Sequence, residues 1–139
     1  MLTLSQAALE LLGTAVVVDR DQTIPFPKWD KQNAAWRVRR LLRGTIPLSV
    51  PKNLAALNQP SATHAWGDGP TAVANLRNTV SHWTTGKPRV DTQVWVESAQ
   101  LALHYLEMAL LSSIGYTGRA IDRTVQPISA GGSTRVPWA

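Results

Sequence analysis

The stretch D-T-Q-V-W-V-E-S-A-Q-L-A-L-H-Y-L-E-M-A-L-L-S-S-I-G (91–115) decides the fold class. Asp91 is a favourable N-cap residue and Gly115 a favourable residue just past a helix end, so the stretch predicts one long helix over Thr92 to Ile114. Its apolar residues cover more than one narrow stripe of that helix. A helix that is apolar on two faces is buried on two sides, which indicates a central helix or a subunit contact.

Four shorter helices are predicted around it, from capping residues and from apolar residues at helical spacing. Their ranges are Thr3 to Val18, Lys31 to Arg43 capped by Asp30, Lys52 to Leu57, and a helix begun by Asp68-Gly69-Pro70 that runs to about Trp83. We expect loops over 19–28 and 58–67, where Pro, Gly and small polar residues concentrate. No segment alternates as a β-strand would. We therefore predict an all-α domain over residues 1–139, a compact bundle of four to five helices with an irregular C-terminal tail.

The composition points to a basic protein without thiol chemistry. The net charge is +5, ten of the fourteen basic residues are arginines, and there is no cysteine. Because the planar guanidinium suits phosphate oxygens, a nucleic-acid partner is favoured, although many small basic domains bind nothing acidic. No apolar run approaches the roughly 20 residues of a membrane span, and the N-terminus lacks a basic signal-peptide region. We expect a cytoplasmic protein with no membrane partner.

Most familiar catalytic patterns are absent from the chain. There is no phosphate-cradling glycine loop, no serine elbow, no histidine pair at metal-ligand spacing, and the nine acidic residues are scattered. What remains is Arg77, Asn78 and His82 on the fourth predicted helix. Asn78 and His82 are i, i+4 neighbours and share a face, whereas Arg77 lies about 140° from His82 around the axis. Its long side chain can still reach the same rim.

These three residues suit metal-independent RNA cleavage, with no cofactor. A histidine near neutral pKa can take the proton of a ribose 2′-OH, and a guanidinium can stabilise the charge that develops on the attacked phosphate. Asn78 can orient the imidazole or hold a phosphate oxygen. An Arg and a His at this spacing also occur often by chance, as a surface ion pair and a carbonyl cap. His64 and His104 are expected to be structural.

The sequence resembles the HEPN superfamily of prokaryotic defence and toxin ribonucleases, and it is similar to the C-terminal HEPN domain of ApeA-type proteins. The family motif R-x(4–6)-H stands here as Arg77-Asn78 through His82. The resemblance extends along nearly the whole chain, over A-A-L-E-L-L (7–12) and over residues 36–51, 68–82, 105–123 and 136–138. The chain departs from many relatives in having Trp83 directly after the His, and from some in having Thr84 where they carry a modified tyrosine.

The resemblance implies a metal-independent endoribonuclease of antiphage defence or of a toxin system. It implies a homodimer that sets two motifs against each other in a composite RNA-binding cleft, with Arg77, Asn78 and His82 as catalytic residues. It also implies that such a domain can form the C-terminal part of a longer protein, with an N-terminal sensor domain or a regulatory partner. One alternative is a non-catalytic HEPN module for dimerisation, ligand binding or RNA binding. Another is a basic RNA-binding helix that uses Arg37, Arg39, Arg40 and Arg43.

Overall fold

The computed structural model describes residues 1–81, 90–125 and 132–139, without the side chains of Val80 and Ser81. The elements are α1 (Leu2–Gly13), a π-helical segment (Thr14–Arg20), α2 (Phe26–Asp30), α3 (Ala34–Leu42), α4 (Ala55–Thr63), α5 (Gly69–Ser81), α6 (Thr92–Ser113), β1 (Arg119–Ile121) and β2 (Ser133–Arg135). The two strands pair antiparallel, with Ala120 opposite Thr134. The predicted all-α class, a compact helical bundle with a C-terminal tail, is confirmed.

The long helix α6 lies at the centre of the bundle. Its buried residues include Leu101, Ala102 and Tyr105, and α1, α4 and α5 pack along it. Arg20 Nη1 donates a hydrogen bond to the carbonyl oxygen of Ser113 at 2.7 Å, so the end of the π-helical segment meets the end of α6.

The second helix starts later than its predicted boundary, and Asp30 is not its cap. Asn33 caps α3, because its side chain accepts a hydrogen bond from the backbone N–H of Trp36 at 2.8 Å. Asp30 is instead the last residue of α2, a one-turn helix inside the segment expected to be a loop. Pro27 lies in the first turn of α2, where a missing N–H costs nothing. The burial of Trp29 against the π-helical segment supplies a tertiary reason for this extra helix.

The fourth helix occupies much of the predicted loop 58–67. Leu54 and Leu57 are fully buried, and the backbone N–H of Leu57 donates to Oε2 of the buried Glu97 at 2.8 Å. This carboxylate from α6 satisfies an N–H that the helix start leaves without a partner. The polar composition of the segment predicted a loop, and long-range packing overrides that local preference.

The described residues form six α-helices where four to five were predicted. Tertiary contacts add α2 and extend α4 beyond its predicted end. The N-terminal helix also continues past Val18 to Arg20 as a π-helix. The tail is not wholly irregular, since β1 and β2 form a small hairpin-like pair.

The continuous helical stretch Leu2–Arg20 is long and apolar enough to cross a bilayer by length and composition. The expectation that no apolar run approaches that length is therefore wrong. Of its most apolar window, 33% is buried inside the protein, and an N-terminal signal sequence or a core helix would meet the same criteria. The absence of a membrane partner stays a prediction.

A glycine allows the closest approach between α1 and α2. A Cβ atom added at Gly13 would lie 2.8 Å from Cζ2 of Trp29, closer than carbon atoms normally approach. The Trp29 ring cannot easily give way, because the residue is only 1% exposed and its Nε1 donates to Oγ1 of Thr14 at 3.0 Å. Gly13 is thus fixed by packing rather than by a turn.

We predict that Gly13→Ala lowers the free energy of unfolding by about 1–3 kcal/mol, the usual range for overpacking a core. The sign of this change in unfolding free energy tests the contact, because Gly→Ala within an open helix normally stabilises by roughly 0.5–1 kcal/mol. Urea unfolding monitored by circular dichroism measures the change. The same substitution in a Trp29→Phe background should cost less, since the smaller ring makes room. A stabilised Gly13→Ala variant would contradict the close contact.

Candidate functional site

The helix that carries the candidate site begins at Gly69, as its Asp68-Gly69-Pro70 start predicted, and its first turn is anchored to other elements. Oδ1 of Asp68 accepts hydrogen bonds from the backbone N–H of Thr71 at 2.9 Å and from its hydroxyl at 2.6 Å, which is an N-cap for α5. The guanidinium of Arg39 on α3 reaches the same carboxylate, with Nη2 donating to Oδ1 at 3.1 Å and Nε donating to Oδ2. One carboxylate thus caps α5 and fastens it to α3.

The next residue, Gly69, lets α6 approach the start of α5. The hydroxyl of Tyr105 lies 1.9 Å from the place that a Cβ atom of residue 69 would take, so only glycine fits there. The backbone N–H of Gly69 donates to the carbonyl oxygen of Leu48 at 2.7 Å. Burial raises the pKa of Tyr105, so its hydroxyl stays protonated. The start of α5 is therefore held by α3 through Arg39, by α6 through Tyr105 and by the segment before α4 through Leu48.

The structure brings two of the three predicted site residues together. Val73 and Leu76 of α5 are each 1% exposed and face the core. Arg77 follows as a half-buried residue, and its Nη1 donates to Oδ1 of the exposed Asn78 at 3.3 Å. This contact lies near the C-terminal end of α5 and places a cation and an amide side by side.

The third predicted site residue, His82, lies outside the described residues, as do Trp83 and Thr84. That Asn78 and His82 share one face of the helix stays a prediction. Within the described ranges 1–81, 90–125 and 132–139, no group of three His, Cys, Asp or Glu side chains comes close enough to hold a metal ion.

Two of the four arginines at α3 are held by contacts with other elements, and the other two have no ion pair among the described residues. Arg37 binds Oε2 of Glu10 at 3.2 Å and the carbonyl oxygen of Asp30 at 2.7 Å, while Arg39 binds Asp68. Arg40 and Arg43 make no ion pair in the part of the chain that the structure describes. Two of the four arginines considered for RNA binding are therefore committed to holding α3 against α1, α2 and α5.

The two remaining histidines have different surroundings. His64 is exposed and stacks on Trp66, with ring centroids 5.3 Å apart. His104 on α6 is mostly buried, with its Nδ1 3.9 Å from Oδ1 of Asp122 in the tail. Burial lowers the pKa of His104 below its ordinary value, although the carboxylates of Asp122 and Glu107 act in the opposite direction. The structural role expected for His104 did not include this acidic neighbour.

A cavity that sequence reasoning missed lies beside His104. It has a volume of about 380 Å³ and is bordered by α6, by the segment before α4 and by the tail. Asp122 and His104 both line it, yet they lie on separate elements, one of them in a tail predicted to be irregular. No local pattern of residues signals such a cavity, because its walls come from three distant segments.

Together, fold and site define a small helical-bundle domain with a polar Arg-Asn pair near the end of one anchored helix. Residues 1–132 match the family described as the YopA C-terminal domain, and the chain belongs to that family. It is similar to the SPbeta prophage-derived uncharacterized protein YopA of Bacillus subtilis (strain 168), with 32% identity over 135 residues. That similarity covers 96% of this chain and 30% of the relative, so the chain spans less than a third of that protein's length. No solved structure matches the chain.

The paired carboxylate of Asp68 predicts a pH-dependent stability. Burial alone would raise its pKa, but hydrogen bonds from Arg39 and Thr71 outweigh burial, so the pKa lies below its ordinary value of 3.8. A carboxyl with a lowered pKa in the folded state contributes stability that is complete above its unfolded pKa and is lost as the pH falls through the folded pKa. Asp68→Asn keeps a capping side chain but removes the charge, so we expect a loss of about 1–3 kcal/mol at pH 7.

The difference in unfolding free energy between wild type and Asp68→Asn should stay constant above about pH 5 and shrink below the ordinary carboxyl range near pH 4. Urea unfolding across a pH series measures it. Asp19→Asn, which makes the same change at an exposed position, serves as the matched control and should unfold like the wild type. A difference that is unchanged down to pH 2 would contradict the charged pair.

Proposed function

We propose that this domain is a metal-independent endoribonuclease of the HEPN type. His82 acts as the general acid and base, Arg77 binds and stabilises the reacting phosphate, and Asn78 orients the imidazole. The observation that carries the proposal is the contact between Arg77 Nη1 and Asn78 Oδ1 on an anchored helix, within one turn or so of His82 in sequence. A site built on a rigid helix holds its groups more precisely than one on a loop.

The proposed reaction needs only side chains of this kind. The imidazole of His82 takes the proton of a ribose 2′-OH, and the 2′-oxygen attacks the adjacent phosphorus. The bond from phosphorus to the 5′-oxygen then breaks, and that oxygen receives the proton from the imidazolium of His82, which leaves a 2′,3′-cyclic phosphate and a 5′-hydroxyl. Negative charge on the phosphorane oxygens is greatest in the transition state, and the guanidinium of Arg77 stabilises that charge.

The charge of the protein suits an RNA partner. The net charge of +5 attracts a polyanion. The half-buried stem of Arg77 limits the conformations that its guanidinium can take, so less entropy is lost when phosphate binds.

We further propose a cytoplasmic homodimer in which two such motifs form one composite cleft. In support, the C-terminal end of α6 and its C-cap residue are apolar and exposed, with Leu110 45% and Ile114 75% exposed. The relative's description as prophage-derived suits a role in antiphage defence or in a toxin system. Its greater length is compatible with a protein in which a sensor domain or regulatory partner controls this domain.

A non-catalytic HEPN module that dimerises, or that binds a ligand or RNA, is the second candidate. The exposed apolar residues of α1 favour it, since Leu4 is 79% and Leu11 73% exposed on a helix whose other face is buried. Surfaces of this kind are typical of interaction sites. The same surface would serve a protein that only brings copies or partners together.

We predict that the wild-type domain cleaves single-stranded RNA in the presence of EDTA and leaves 2′,3′-cyclic phosphate ends. Arg77→Ala and His82→Ala should each lower the cleavage rate by about 10²–10³-fold, because each removes a group that acts on the transition state. Asn78→Ala should reduce it less. Gel assays with end-labelled RNA and mass spectrometry of the products measure rate and chemistry.

Matched controls separate catalysis from charge and from histidine content. Arg40→Ala removes an arginine of α3, and His64→Ala removes an exposed histidine. Both should cleave at close to the wild-type rate. RNA with a 2′-deoxy sugar at the cleaved position should resist, since the attacking oxygen is absent. Equal cleavage by all variants, or none by the wild type in any condition, would reject the ribonuclease and favour the non-catalytic module.

We predict that the domain is dimeric in solution and that Leu110→Glu together with Ile114→Glu makes it monomeric while its helical circular dichroism is kept. A charge on each side of a symmetric contact is repeated in the partner, so both desolvation and repulsion oppose association. Light scattering after size-exclusion chromatography measures the mass. Val125→Glu, at an exposed apolar residue of the tail, is the control. A monomeric wild type would contradict the composite cleft.

A further inference from the structure

The cavity beside His104 has the size and lining of a small-molecule site. Its volume is about 380 Å³, within the range of roughly 300–1,000 Å³ that is usual for ligand pockets. Much of its wall is apolar and includes Ile46, Met108 and Val136. Tyr105 also lines it, and the hydroxyl of that residue touches the start of α5 at Gly69. Arg77 lies eight residues further along α5, about 12 Å along the axis, so the cavity is separate from the candidate ribonuclease site.

Asp122 lines this cavity, and one of its carboxylate oxygens has no donor among the described residues. Its Oδ1 accepts from the backbone N–H of Thr124 at 2.9 Å and from the Thr124 hydroxyl at 2.6 Å. Within the described ranges, Oδ2 accepts no hydrogen bond, and no lysine or arginine pairs with the carboxylate. The nearby Arg123 is held instead by Glu107, with Nε donating to Oε1 at 2.7 Å. A partly buried carboxylate with an unused oxygen is a strong acceptor for a ligand donor.

His104 supplies a second acceptor in the same wall. Its Nδ1 is buried and makes no hydrogen bond to any described residue, and it lies 3.9 Å from Oδ1 of Asp122, too far for one. Burial lowers the pKa of His104 below its ordinary value of 6.5, so the ring is neutral at pH 7 and one of its nitrogens is an acceptor. Because Nδ1 has no accessible surface, the ring nitrogen open to a ligand is Nε2, which makes no hydrogen bond to a described residue.

We propose that this cavity binds a small planar ligand that presents two neighbouring N–H donors, one to Oδ2 of Asp122 and one to the ring of His104. Guanine bases and guanidinium compounds share this chemistry. The apolar wall receives the body of the ligand, and binding fastens α6 to the C-terminal tail. The site does not depend on the ribonuclease proposed above, because none of its residues takes part in that chemistry.

Calorimetric titration of the full chain with guanosine and, separately, with agmatine tests the site. We expect saturable binding of at least one of them, weakened by tenfold or more in Asp122→Asn. In that variant the side-chain oxygen stays with the Thr124 donors, so the amide N–H₂ takes the place of Oδ2 and repels N–H groups. His104→Phe keeps a planar ring without nitrogen and should weaken binding similarly. Asp19→Asn is the matched control and should bind like the wild type.

Two further binding measurements test the site, one with another nucleoside and one with another variant. Adenosine, which has an acceptor at the ring position where guanosine has a donor, should bind at least about tenfold more weakly than guanosine. Ala120→Leu fills the cavity from β1 while both acceptors keep their side chains, and it should abolish binding. This variant tests the cavity even if Asp122→Asn fails to fold. Binding of guanosine alone identifies a base, and binding of agmatine alone identifies a guanidinium. Failure of both probes at about 5 mM, or binding that Asp122→Asn and Ala120→Leu leave unchanged, would overturn the proposal.

Discussion

The ion pair between Arg39 and Asp68 is the interaction on which the arrangement of both candidate sites depends. Its side chains are 36% and 19% exposed, so water screens it only in part. Asp68 also caps α5, which means that one carboxylate sets where the helix begins and which helix it lies against. Hydrogen bonds to a charged group contribute about 1.5–3 kcal/mol each, a large fraction of the stability of a small domain. Its loss would loosen the start of α5.

The helix α5 connects two regions of different chemistry. Its first residue, Gly69, admits the hydroxyl of Tyr105, and that tyrosine lines the cavity against the tail. Its C-terminal part carries Arg77 and Asn78 in contact. A helix transmits position rigidly over this length, so a ligand that fixes Tyr105 and the tail would also restrict α5 as a whole. The proposed ribonuclease site and the proposed ligand cavity thus lie against the same helix and share no residue.

Helix ends that depend on local hydrogen bonds were predictable, and those that depend on distant partners were not. Asp91 caps α6 by accepting from the backbone N–H of Gln93 at 2.8 Å, and Gly115 has the positive φ expected after a helix. By contrast, α4 begins where Glu97 of α6 reaches the Leu57 N–H, forty residues away in sequence. Asp30 looked like a cap, but burial of Trp29 ends a short helix there and Asn33 takes the capping role.

The sequence by itself determined the helical class, the start of α5 and the proximity of Arg77 to Asn78, because capping and helical spacing act within a few residues. Only the tertiary structure decided how the arginines of α3 are used, since Arg37 and Arg39 find Glu10 and Asp68 across long stretches of chain. It also decided that His104 and Asp122 meet at a cavity. The long central helix was predicted to be buried on two sides. In the structure α1, α4 and α5 pack along it and Leu110 near its end is 45% exposed, so burial at a subunit contact stays a prediction.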